Sequence, residues 1–140
     1  MNSVTLRETM FPARLSAIRD VRDFLESFCR DAGVARPPGL RLNLVVEELF
    51  TNTVNHGHCG DCDFPVWITL EAAGSTLTLT YLDQAPPFNP FVAAACAPLE
   101  TSIEHRKEGG LGVLLAKELT AASEYLYLFG RNRLRMVLVW

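Results

Sequence analysis

With 140 residues, 49% of them hydrophobic and 21% charged, the chain has the length and make-up of one folded domain. That composition excludes disorder, collagen and coiled coil, and a formal net charge of −3 disfavours duplex DNA or RNA as a direct partner. No apolar run reaches the roughly 18–20 residues of a membrane span, and Met1-Asn2-Ser3-Val4-Thr5 is not the basic-then-apolar opening of a signal peptide. Four cysteines in a chain with its own core read as reduced thiols, so a single domain over 1–140 in the cytoplasm, without membrane attachment, is expected.

In chain order, residues 3–11 alternate, with Val4, Leu6 and Met10 on one side and Thr5, Arg7 and Thr9 on the other, as in a half-exposed strand. Leu15, Ile18, Val21, Leu25, Phe28 and Cys29 recur at helical spacing after Pro12, with Gly33 as the stop. A second helix is predicted from about Pro38 or Gly39 to His56, ending at Gly57. Two alternating runs then flank Gly74-Ser75, a β-hairpin signature. From Gln84 to Glu108 the period is lost, and a stretch of that length reads as a lid or binding segment. Leu111, Leu114, Leu115 and Leu119 mark a third helix, and 124–129 with 133–140 form a closing hairpin around Gly130-Arg131-Asn132. The order β-α-α-β-β-lid-α-β-β predicts an α+β fold: a two-layer sandwich with a mixed, mainly antiparallel sheet covered on one face by three helices.

Three places carry polar residues or glycines that packing alone does not require. On the second helix, Glu48, Asn52 and His56 stand at i, i+4 and i+8, successive positions about 40° apart, beside the apolar stripe Leu42, Val45, Val46, Leu49 and Thr53. A solvated helix edge satisfies that pattern. So does a pocket in which an amide oxygen offers a hard ligand to Mg²⁺ and a carboxylate serves as general base. Asp83 keeps the inward parity of Leu77, Leu79 and Tyr81, where a buried carboxylate needs donors. An Asx turn supplies them, and so does the exocyclic amine of a bound adenine. Glu108-Gly109-Gly110-Leu111-Gly112 precedes the third helix, where glycines let backbone N–H groups approach an anion.

Taken in order, Glu48-Leu-Phe-Thr-Asn52-Thr-Val-Asn-His56-Gly57, then Asp83-Gln-Ala-Pro-Pro-Phe88-Asn89-Pro90, then Gly109-Gly-Leu-Gly112 resemble the N, G1 and G2 boxes of the GHKL ATPases. Within that superfamily the chain most resembles the small anti-sigma-factor serine protein kinases of bacteria, and the resemblance extends to the terminal hairpin. It implies ATP and Mg²⁺ as cofactors, Glu48 as the catalytic base, and Asn52 as the Mg²⁺ ligand. It further implies Asp83 as acceptor for the adenine amine, with His56, Ala85 and Phe88 around the nucleotide. Gly109, Gly110, Leu111 and Gly112 would cradle the phosphates under a lid at about 84–108. Arg106 in that lid would reach a phosphate or pair with Glu104 and Glu108 in solvent. The implied partners are a STAS-domain anti-sigma-factor antagonist, phosphorylated on serine, a sigma factor that is sequestered, and a second copy of the chain in a homodimer.

The sequence departs from the family at two of these places: Ala85 stands where the G1 box usually carries glycine, and the last strand lacks the adenine-side threonine of the wider superfamily. A partner-binding module without turnover is therefore the alternative function. A histidine-kinase catalytic domain is the neighbouring enzyme reading, but no phosphoacceptor helix pair accompanies these 140 residues. His56-Gly-His58-Cys59-Gly-Asp-Cys62 has Cys-x-x-Cys spacing, yet crowds its residues into one loop rather than the two segments of a structural zinc site.

Overall fold

The computed structural model describes residues 3–90 and 121–140. The predicted third helix and most of the lid lie outside the described residues. Those described form β1 (Val4–Pro12), a 3₁₀ turn (Leu15–Ala17), α1 (Ile18–Ala32), α2 (Arg36–Asn52), a π turn (Thr53–Gly57), β2 (Pro65–Ala73), β3 (Thr76–Asp83), β4 (Ala122–Leu128) and β5 (Arg131–Val139). One five-stranded sheet runs β1-β2-β3-β5-β4. Every pairing in it is antiparallel, so the parallel component of the expected mixed sheet is not found among the described residues.

Period-2 alternation gives the sheet one apolar face. Val66, Ile68 and Leu70 of β2, Leu77, Leu79 and Tyr81 of β3, and Leu134, Met136 and Leu138 of β5 are all buried. They share one core with Val21, Leu25 and Phe28 of α1 and Leu42, Val45, Val46, Leu49 and Phe50 of α2. Leu15, expected on the first helix, is exposed in the 3₁₀ turn that precedes it. Helix α1 stops at Gly33 through a Schellman pair, Val34 N donating to Cys29 O and Gly33 N to Arg30 O.

Helix α2 begins a little before the predicted start. Pro37 and Pro38 occupy its first turn, where a missing N–H breaks no helical bond, so the prolines open the helix instead of preceding it. Beyond Asn52 the coil widens into one π turn, with His58 N donating to Thr53 O at 2.9 Å.

The last hairpin differs from its predicted form in the placement of the turn. Phe129 (φ 53°) and Gly130 (φ 74°) are its two central residues, as a type I′ turn demands. Arg131 and Asn132 therefore belong to β5, and the register sets Asn132 opposite Asp83. On β1 the apolar row Val4, Leu6 and Met10 faces away from the helices, whereas Arg7 on the other side pairs with Asp31 of α1 at 2.6 Å. Arg131, exposed on β5, stacks over Trp67, 4.3 Å from its ring centroid. Phe28→Ala, in the core, is expected to lower unfolding stability by about 3–5 kcal/mol, whereas Leu40→Ala, exposed on α2, stays within about 0.5 kcal/mol, both read from urea denaturation.

Candidate functional site

Helix α2 meets the end of β3 through Thr53. Its Oγ1 lies 2.8 Å from Asp83 Oδ2, 2.7 Å from the Tyr81 hydroxyl and 2.9 Å from Leu49 O. A hydroxyl carries one proton, and Leu49 O already accepts from the Thr53 backbone N–H. The arrangement that satisfies every group has Tyr81 donating to Thr53 and Thr53 donating to the Asp83 carboxylate, a charge-assisted bond. Burial pushes the Tyr81 phenol well above its ordinary range, which keeps it a donor.

The other oxygen of Asp83 takes two donors. Ala85 N donates to Oδ1 at 3.2 Å, closing the Asx turn that the sequence offered as one reading. Asn132 Nδ2 donates to the same oxygen at 2.9 Å. Asp83 is thus buried with its carboxylate held from three elements, and a pair of acceptor oxygens with about four lone-pair sites retains capacity for a further donor.

A second contact joins the same two segments. A Cβ built on Gly57, the last residue of the π turn, would stand 2.7 Å from the Ala85 methyl, inside any real Cβ contact. Ala85 is buried, and it is not among the described non-glycine residues with positive φ. The alanine therefore stands without the left-handed strain that a family glycine at this place would relieve, and its methyl occupies the space that Gly57 leaves open.

Among the other expected site residues, Glu48 and Asn52 are half-buried on the last two turns of α2, at the helical spacing read from the sequence. The neighbouring Glu47 is held by Arg22 of α1, whose guanidinium it pushes upward in pKa. That ion pair separates the two adjacent carboxylates: one bridges helices, the other stands on the ridge of Asn52. His56 falls in the π turn and is exposed, so the regular ridge spans Glu48 to Asn52 only. Phe88 is largely exposed, with its backbone N–H donating to Asn132 Oδ1 at 3.0 Å and to the Tyr125 hydroxyl at 3.1 Å. Arg106, Gly109, Gly110, Leu111 and Gly112 lie outside the described residues. Among the described residues no cluster of three or more His, Cys, Asp or Glu is arranged for a metal, and His58 stacks on Phe64 with centroids 5.2 Å apart.

Three site residues were missed in the sequence. Thr53 and Tyr81 were read only as members of an apolar stripe and strand, although a hydroxyl within each was the available signal. The expected turn Gly130-Arg131-Asn132 leaves Asn132 outside the strand, whereas a two-residue turn at Phe129-Gly130 places it on the inward face of β5.

A family model for the histidine kinase-like ATPase domain matches residues 11–138. The chain belongs to this family. No curated protein matches the chain. Among solved structures, the RsbU and RsbW domains of Rv1364c from Mycobacterium tuberculosis are similar to it, with a TM-score of 0.67 and 15% identity over 96% of this chain and 32% of that one. At that identity the likeness is one of fold. The histidine kinase-like ATPase family accounts for the α+β architecture and makes ATP the nucleotide to fit. The residues present fit it: Asp83 is a buried acceptor-only group suited to an amine, and the half-buried Asn52 offers an amide oxygen suited to Mg²⁺.

The Gly57–Ala85 contact yields a double-mutant test. Gly57→Ala should destabilise the ATPase domain by about 1–3 kcal/mol through overpacking, and adding Ala85→Gly should recover most of that loss. Urea unfolding of the four proteins in the cycle reads the coupling, and purely additive effects would refute the contact.

Proposed function

We propose that this ATPase domain is a serine protein kinase and anti-sigma factor that phosphorylates a STAS-domain antagonist and sequesters a sigma factor. One observation supports it most. The N-box segment that follows Glu48 and Asn52 is bonded to the G1 segment at one end, Thr53 to Asp83, and approaches it closely at the other, Gly57 beside Ala85. Two sequence-distant motifs of the resemblance are thereby brought together as a nucleotide site requires. The similarity to a structure containing an RsbW domain supports the same partner-switching context.

In this reading Glu48 removes the proton of the antagonist's serine hydroxyl as that oxygen bonds to the γ-phosphorus and the bond to ADP breaks. Asn52 contributes its amide oxygen to the metal, and Asp83 accepts from the adenine amine. Bound Mg·ATP supplies the phosphoryl group and neutralises charge on it. The work left to the protein is positioning and electrostatic stabilisation, which suits a site built from one carboxylate base and fixed polar groups. We further propose that Gly109–Gly112 and Arg106 hold the phosphates beneath the 84–108 lid. A homodimer in the cytoplasm completes the reading, its support being the edge strand β1 with Val4, Leu6 and Met10 exposed.

Calorimetric titration with ATP, ADP and GTP, with and without Mg²⁺, tests the site first; magnesium-dependent binding of adenine nucleotides alone is expected. Glu48→Ala should leave that binding intact while lowering phosphoryl transfer to a STAS protein by about 10²–10⁴-fold, measured with radiolabelled ATP. Asp83→Asn should instead weaken ATP binding. A folded protein that binds no nucleotide would make it a partner-binding module without turnover.

A further inference from the structure

The hydrogen bonds around Asn132 fix which end of its amide is which. Phe88 N–H and the Tyr125 hydroxyl both donate to one terminus, which must be the oxygen. The other terminus faces only acceptors: Asp83 Oδ1 at 2.9 Å, Ala85 O at 3.0 Å and Pro86 O at 3.1 Å. Asn132 is 3% exposed, and its bonds to Asp83 and Ala85 are buried, so water is no ready substitute for those two. This one side chain therefore holds the Asp83 carboxylate from the adjacent strand and pins the 85–88 backbone that leads into the lid.

We propose that Asn132 is the positioning residue that sets base selectivity, acting through Asp83. This rests on the reading of Asp83 as the acceptor of a purine amine. Asn132 Nδ2 and Ala85 N occupy Oδ1, and Thr53 occupies one side of Oδ2, so the remaining acceptor capacity of the carboxylate lies at Oδ2. An acceptor held there favours the exocyclic amine of adenine and repels the carbonyl oxygen that guanine carries in its place. Released from Asn132, the carboxylate keeps Thr53 and Ala85 N but loses its hold from β5, and the 85–88 turn loses its side-chain anchor, so discrimination between the bases falls along with affinity.

Asn132→Asp is the informative variant because it keeps shape and exchanges the donor for an acceptor. The titratable groups near position 132 among the described residues are Asp83 on β3, Tyr81 behind Thr53, Tyr127 directly opposite on β4, and Tyr125 on β4, whose phenol burial pushes upward, with Arg131 and Arg133 flanking position 132 on β5 toward the other face. The introduced carboxyl faces Asp83 at hydrogen-bond distance, and two such groups do not both ionise readily. At about pH 8 the variant should bind ATP about 10–100-fold more weakly than the native protein, the effect of losing a bond to a charged group. Lowering the pH toward about 5 returns a proton between the carboxyls, restores a donor to Asp83, and should bring affinity back toward the native value at that pH. A merely structural asparagine predicts instead that ATP and GTP affinities fall and recover in the same proportion, with the preference for ATP unchanged at both pH values.

The experiment is ATP and GTP titration by calorimetry of native, Asn132→Asp and Tyr125→Phe proteins at both pH values, with circular dichroism melts as the folding control. Tyr125→Phe, which keeps the Asn132–Asp83 bond, should retain the ATP preference and serves if Asn132→Asp unfolds; loss of preference in it would contradict the inference. Native protein that prefers ATP together with an Asn132→Asp variant of unchanged preference overturns the role of Asn132 alone. Native protein that binds neither nucleotide overturns the kinase reading as well.

Discussion

A carboxylate buried at the end of β3 governs how the two halves of this molecule meet. Asp83 needs donors, and the chain brings them from three separate places: a hydroxyl at the end of α2, an amide on β5, and the backbone two residues on. Each bond to such a group contributes about 1.5–3 kcal/mol, and removing a donor leaves the charge exposed to the full desolvation penalty. Satisfying Asp83 therefore fixes the end of the second helix, the start of the last strand and the root of the following loop relative to one another. Those are the elements from which the expected nucleotide site is built.

Beneath that cluster the layering is ordinary hydrophobic chemistry. Among the described residues two helices cover the apolar face of an antiparallel sheet, and one core joins Phe28, Leu70 and Met136. The departures from regularity sit beside the polar cluster: the π turn after Asn52, the close approach of Gly57 to Ala85, and the Asx turn at Asp83. Several of the backbone irregularities thus gather at the candidate site, as expected where local conformations serve binding.

Much of this was legible from periodicity. The stripe Leu42, Val45, Val46 and Leu49, the stop at Gly33 and the hairpin at Gly74-Ser75 follow from spacing, and the inward parity of Asp83 followed from strand alternation. What escaped depended on details that spacing does not carry. A phenylalanine with positive φ is rare enough that Gly130 attracted the whole turn to itself, which displaced Asn132 from the strand. The π turn adds a residue to the helix repeat without any change in composition, so His56 was counted on a ridge that ends at Asn52. Thr53 and Tyr81 were invisible as partners because their hydroxyls meet across 28 positions of sequence.

The pairing of Gly57 with Ala85 also constrains how sequences of this family can drift. The space between the two backbones holds one methyl group, and here it is carried by the β3 side. A lineage that moves the methyl to the helix side can pass through glycine at both positions, losing some packing, whereas the route through alanine at both carries the overpacking cost of about 1–3 kcal/mol and is the less favoured. The order in which the two substitutions arise is therefore not free. A glycine absent from its usual place in one motif is then best sought across the contact, in the other motif, before the site is judged decayed.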